Sequence, residues 1–147
     1  MNFETMRDVL QRAENFHRDL SAYFERRGTH EKQEKIKMLL DYLARHQSNL
    51  AQAVKAFSEH GQPQVLNTWL QYTTPELPRE CAISAQMTFD EVIDIALAFD
   101  DSLLDLYRTV LREADIPAVR EVAESLLAME SEERRRRTRS IEELQDM

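Results

Sequence analysis

Apolar residues recur at three- and four-residue steps through four long stretches of the chain, the periodicity of helices with one buried face. The first stretch, about residues 3–27, carries Met6, Val9, Leu10, Ala13, Phe16, Leu20, Tyr23 and Phe24. Arg26-Arg27-Gly28 reads as its end, with cations at the negative pole of the helix and a glycine at the cap. Thr29 is the expected N-cap of a second helix over about 30–59, striped by Ile36, Leu39, Leu40, Leu43, Leu50, Val54 and Phe57 and stopped at His60-Gly61-Gln62-Pro63. Thr88-Phe89-Asp90-Glu91 is a capping box. It opens a third helix with Val92, Ile93, Ala96, Phe99, Leu103, Leu106, Tyr107 and Val110 on its stripe. After Ala114-Asp115-Ile116, Pro117 suits the first turn of a fourth helix that runs toward Glu143. Val119, Val122, Ala123, Leu126 and Leu127 line it before the pattern turns charged, leaving a charged tail at about 138–147.

The first two helices repeat in the last two at an offset of 83 residues. Val9, Leu10, Ala13, Phe16, Leu20 and Phe24 match Val92, Ile93, Ala96, Phe99, Leu103 and Tyr107. Ile36, Leu39, Leu43 and Gln47 match Val119, Val122, Leu126 and Glu130. Two helical hairpins are therefore expected, joined by a long connection at about 61–87. A loop of that length inside a compact domain needs a reason. A 25-residue helix is about 38 Å long at 1.5 Å per residue, and a chain joining two parallel helices must travel back that far. The expected fold is all-α: an up-down-down-up four-helix bundle with one long crossover, the connectivity of ferritin-like folds. Val65, Leu66, Trp69 and Leu70 predict a short amphipathic helix in the crossover, with Trp69 and Tyr72 covering the bundle. An exposed aromatic there would instead mark a partner surface.

Composition narrows the function classes. A chain of 147 residues reads as one domain. A net charge of −8 opposes nucleic acid and anionic membrane as partners, since both call for a basic face. No run of about 18 apolar residues occurs, so no membrane span is expected. Cys81 is the one cysteine and is read as a small apolar filler in the crossover; no internal disulfide can form. With an N-terminus that lacks an apolar signal-peptide core, this points to a cytoplasmic protein. Phosphate-binding glycine loops, nucleophile elbows, Cys-x-x-Cys pairs and His-Glu-x-x-His are not found.

The candidate chemistry is a polar layer within the apolar stripes. Glu14 and His17 on the first helix match Leu97 and Asp100 on the third, and Gln47 and Leu50 on the second match Glu130 and Glu133 on the fourth. Each pair is spaced i, i+3, so its members share a face. Glu14 with the aromatic pair Tyr23-Phe24, Leu43-Ala44-Arg45-His46-Gln47, and Leu127-Ala128-Met129-Glu130-Ser131-Glu132-Glu133 together resemble the rubrerythrin-like branch of the ferritin-like superfamily. The resemblance implies a four-helix bundle in which two helices each give a carboxylate and two each give a Glu-x-x-His pair, jointly holding two irons. This chain departs from that pattern. Its second helix has Gln47-Ser48-Asn49-Leu50, its third has Leu97 opposite Glu14, and its fourth has Glu133 in place of histidine. A symmetric di-iron centre is not expected from such a set.

Glu14, His17, Asp100, Glu130 and Glu133 remain. One imidazole among carboxylates can hold a single divalent ion of the Fe, Mn or Zn type. The same residues can instead form a buried network in which His17 pairs with Asp100 or Glu130, because a buried charge must be paired or neutralised. Arg134 to Arg137 read as a solvated helix end, each of Arg134, Arg136 and Arg137 following a glutamate by four residues. His46 flanks the stripe of the second helix, where it could approach the layer but is expected to be partly exposed, and His30 and His60 fall at helix ends and suggest nothing specific. Three functions follow: a ferritin-like protein without di-iron chemistry that acts by binding, with a homodimer as the expected assembly; a metal-dependent oxidoreductase with a rearranged site; or a small-molecule carrier whose core reads a ligand.

Overall fold

The computed structural model describes residues 3–79, 84 and 86–147, so the expectation for Cys81 lies outside the described residues. Four long helices, α1 (Met6–His30), α2 (Glu34–His60), α4 (Phe89–Glu113) and α5 (Pro117–Gln145), are joined by a crossover holding the single turn α3 (Pro63–Leu66). Contacts between them fix their directions. Ser21 of α1 donates to the carbonyl of Ala44 in α2 at 2.7 Å, while Gly28 faces Asp41, so these helices are antiparallel. Lys35 reaches the carbonyl of Gln145 at 2.8 Å and His46 faces Glu133 at 4.0 Å, which sets α5 antiparallel to α2. Asp90 accepts from Gln145 at 3.2 Å and Asp101 pairs with Arg134 at 2.8 Å, which sets α4 antiparallel to α5. The bundle therefore runs up-down-down-up, and its core draws on all four long helices.

The repeat is visible in the helix bounds themselves. Met6 and Phe89, His30 and Glu113, and Glu34 and Pro117 are each 83 positions apart. The caps repeat as well: Thr5 with Asp8, and Thr88 with Glu91, form reciprocal capping boxes one repeat apart. Each box satisfies two backbone donors that a helix start otherwise leaves to water.

Several local details depart from the sequence expectation. α1 continues through Gly28 to His30, and Gly28 does not adopt a positive φ. Its value is close approach, since a Cβ there would stand 2.5 Å from Asp41 Oδ1 and 3.5 Å from Leu40 Cβ on α2. Thr29 does not cap α2; its hydroxyl donates back to the Glu25 carbonyl at 3.0 Å, within α1. α5 extends to Gln145, and Ile141 is buried, so most of the segment taken as a charged tail is packed helix.

The crossover is pinned against the start of α1. Thr5 and Trp69 form an antiparallel bridge, with Met6 N–H donating to Thr68 O at 3.0 Å and Leu70 N–H to Glu4 O at 2.8 Å. Extended backbone points alternate side chains to opposite faces. Leu70 is accordingly buried and Trp69 is 56% exposed, so Trp69 does not cover the bundle as expected. Tyr72 does pack on the core, its hydroxyl 3.4 Å from the Val110 carbonyl. Arg12 gathers the next stretch, donating to Glu4 at 2.9 Å, Thr74 Oγ1 at 2.8 Å and Pro75 O at 2.5 Å.

Candidate functional site

The mid-helix polar residues meet in the bundle core. His17, on the buried stripe of α1, is 1% exposed. Its Nδ1 lies 2.6 Å from Gln47 Oε1 on α2 and its Nε2 lies 2.8 Å from Glu130 Oε1 on α5. With the Gln47 amide oxygen and the Glu130 carboxylate both accepting, the geometry suits an imidazolium that donates from both ring nitrogens. Burial works against that charge, but the hydrogen bond and charge of Glu130, the bond to Gln47 and the charge of Asp100 outweigh it, and the pKa rises above 6.5.

A second ion pair lies on the α4–α5 side. Arg137 is 1% exposed and its guanidinium pairs with Asp100. The sequence reading placed Arg137 in a solvated run, and the structure places it inside. Its neighbours on the buried stripe of α5 are Glu130, seven residues before it, and Ile141, four after it, so Arg137 is where the helix faces the core. Arg134, Arg135 and Arg136 do lie at the surface, on Asp101, Glu132 and Glu133. Of the expected i, i+4 pairs, Glu132–Arg136 forms at 3.6 Å, while Arg134 and Arg137 turn to α4 instead.

His46 is also buried, contrary to expectation, stacked on Tyr42 with ring centroids 6.2 Å apart. Burial, then the positive charges of Arg137 and His17, push its pKa down to about 3. Its ring is thereby held toward the neutral form, the opposite sense to His17. Tyr107 is fully buried near Glu130; burial and that carboxylate's charge raise its phenol well above the usual value. The Tyr107 hydroxyl, Arg137 Nη1, Asp100 Oδ2 and Arg27 Nε have no hydrogen-bond partner of ordinary geometry among the described residues.

Of the five residues singled out from sequence, His17 and Glu130 touch, and Asp100 stands close enough to add to the charge that holds His17 protonated. Glu14 faces Arg18 at 2.7 Å, and Glu133 bonds Arg136 at 3.1 Å at the edge of the layer. Arg137, His46 and Tyr107 join the layer: the sequence places Arg137 in solvent, His46 at the edge of a stripe and Tyr107 on a buried stripe, without assigning any of them to the site. The repeat held a signal for two of them. Tyr107 matches Phe24 and Arg137 matches Val54, and all four are buried. The second hairpin has thus put polar groups where the first keeps apolar ones.

As a donor set, this layer does not fit a di-iron carboxylate centre. Both ring nitrogens of His17 are already engaged, by Gln47 and Glu130, so a metal would have to displace one of these bonds and its proton. Asp100 is already neutralised by a fixed guanidinium, and Gln47 and Leu50 stand at the α2 positions. Among the described residues, no three His, Cys, Asp or Glu side chains come together as a metal-holding group. The buried charges balance instead as His17 with Glu130 and Arg137 with Asp100.

No protein-family model matches the chain, and no curated protein matches it. A solved structure does, over nearly the whole length. It is the crystal structure of a Thermotoga maritima protein provisionally described as a ferritin-like diiron-carboxylate protein. The TM-score is 0.66 at 19% sequence identity, covering 97% of this chain and 98% of that one. With the connectivity above, this shows the ferritin-like fold. Among the described residues no helix is long and apolar enough to cross a membrane.

Proposed function

We propose that this ferritin-like bundle no longer carries di-iron chemistry and acts by binding another molecule rather than by catalysis. The observation that carries the reading is the Arg137–Asp100 pair within the core. A permanent cation there supplies the positive charge that a carboxylate-lined bundle otherwise obtains from metal. The imidazolium of His17 does the same for Glu130. Trp69, exposed beside the start of α1, is the kind of surface a protein partner covers. A second copy of this chain is the partner we expect.

A rearranged single-metal site for Fe, Mn or Zn on Glu14, His17, Asp100, Glu130 and Glu133 is the competing reading. It requires His17 to release a proton and Arg137 to leave Asp100. Elemental analysis of protein produced in iron-, manganese- and zinc-supplemented medium separates the two. The binding reading expects well under one metal per chain after desalting. A tightly held ion at one per chain overturns it.

A further inference from the structure

The arginine run has a second consequence, on the outside of the bundle. Arg108 of α4 and Arg134, Arg135 and Arg139 of α5 line one open groove of about 630 Å³ between these helices, floored by the buried Leu104. On α5 the three arginines fall within two turns of one face, and Arg108 stands one turn beyond Leu104 on α4. One carboxylate, Glu142, shares the rim. In a chain of net charge −8, four guanidinium groups gather on one groove, with Asp101, Asp105 and Glu132 beside them and Arg139 facing no carboxylate within ion-pair distance among the described residues.

The ion pairs around the groove leave it able to bind. Arg139 has no carboxylate partner among the described residues, and Arg108 stands 3.7 Å from Asp105, its own i−3 neighbour. Arg134 and Arg135 are held by Asp101 and Glu132 at 2.8 Å each. Exposed pairs of this kind contribute roughly 0–1 kcal/mol, and each guanidinium has five N–H donors, most of them still free. Arginine forks match the oxygens of phosphate groups two at a time.

We propose that this groove binds a compact, multiply charged phosphate compound. Compactness follows from the charge distribution. Screening confines the attraction of the groove to about 8–10 Å at moderate salt. A long polyanion such as nucleic acid would overhang onto an acidic surface, whereas a short phosphate chain stays within the basic patch. The site is separate from the core and does not depend on the fate of the metal ligands.

Calorimetric titration with sodium tripolyphosphate at low ionic strength tests this on the full chain. One site per chain is expected, weakening as salt is added. The double variant Arg108→Ala/Arg139→Ala should bind at least about tenfold more weakly, given what hydrogen bonds to charged groups contribute. Lys55→Ala, on α2 and paired with Glu59 away from the groove, should bind as the parent does. All substituted side chains are exposed, and unchanged thermal melts will show that the variants fold. Absence of binding, equal affinity in the double variant, or tighter binding of a single-stranded oligonucleotide than of tripolyphosphate overturns the proposal.

Discussion

Arg137→Leu is expected to destabilise the protein by about 3–5 kcal/mol, the usual loss when one member of a buried ion pair is removed and the other is left without a partner. Asp100 would then be a buried carboxylate facing an apolar side chain. The same reasoning gives the reverse for a paired change. Arg137→Leu combined with Asp100→Leu removes both charges, and such replacements by apolar residues of similar volume are often close to neutral. The repeat supports this, because the position equivalent to Arg137 is Val54, fully buried in the same bundle. Urea unfolding of the parent, both single variants and the double variant closes the cycle. A coupling of several kcal/mol is expected. A single Arg137→Leu variant within about 1 kcal/mol of the parent, the range of exposed pairs, would mean that Arg137 is not paired in the core.

His17→Leu should cost a comparable amount, again about 3–5 kcal/mol, because Glu130 and the Gln47 amide oxygen both lose their donor. This loss carries a pH signature. The pKa of His17 is raised in the fold above its unfolded value of 6.5. The folded state thus binds a proton more tightly than the unfolded state. The stabilisation is complete below about pH 6.5 and fades as pH rises through the folded pKa. The gap between parent and His17→Leu should be widest in mild acid and narrow toward alkaline pH. His46 acts in the opposite sense, with its pKa depressed to about 3. Its neutral form contributes fully above about pH 6.5, and that contribution is lost as pH falls toward 3. His17 is one of the charges that depress His46, so the comparison is read from about pH 6.5 upward, where the His46 contribution is complete in both proteins. A gap that does not vary with pH would show that His17 is not protonated in the fold.

Much of the architecture is written locally in the chain. Helix periodicity, Pro117 at a helix start and the Thr88–Glu91 box mark the elements, and the offset of 83 predicts a duplicated hairpin whose bounds the fold reproduces. The crossover length then leaves little choice of topology. The polar layer was legible only in part, for a physical reason. Glu130 and His17 stand on strongly apolar stripes, so their burial follows from periodicity alone. Arg137 stands in a run of four arginines after three glutamates, and local rules assign such a run to solvent. What turns it inward is Asp100 on another helix, together with Ile141 one turn later, and neither is a nearest neighbour in sequence. Gly28 makes the same point. Its composition reads as a helix end, while its role is set by how closely α2 crosses α1 at Asp41.

The central claim is that the protein's own cations fill the polar layer. The most direct test is the ¹⁵N spectrum of the histidine rings near neutral pH in protein produced in metal-supplemented medium. The account predicts that His17 shows two protonated ring nitrogens and titrates above 6.5, while His46 stays neutral with one. A neutral His17 ring, with one nitrogen bare or shifted by a bound metal, would contradict it.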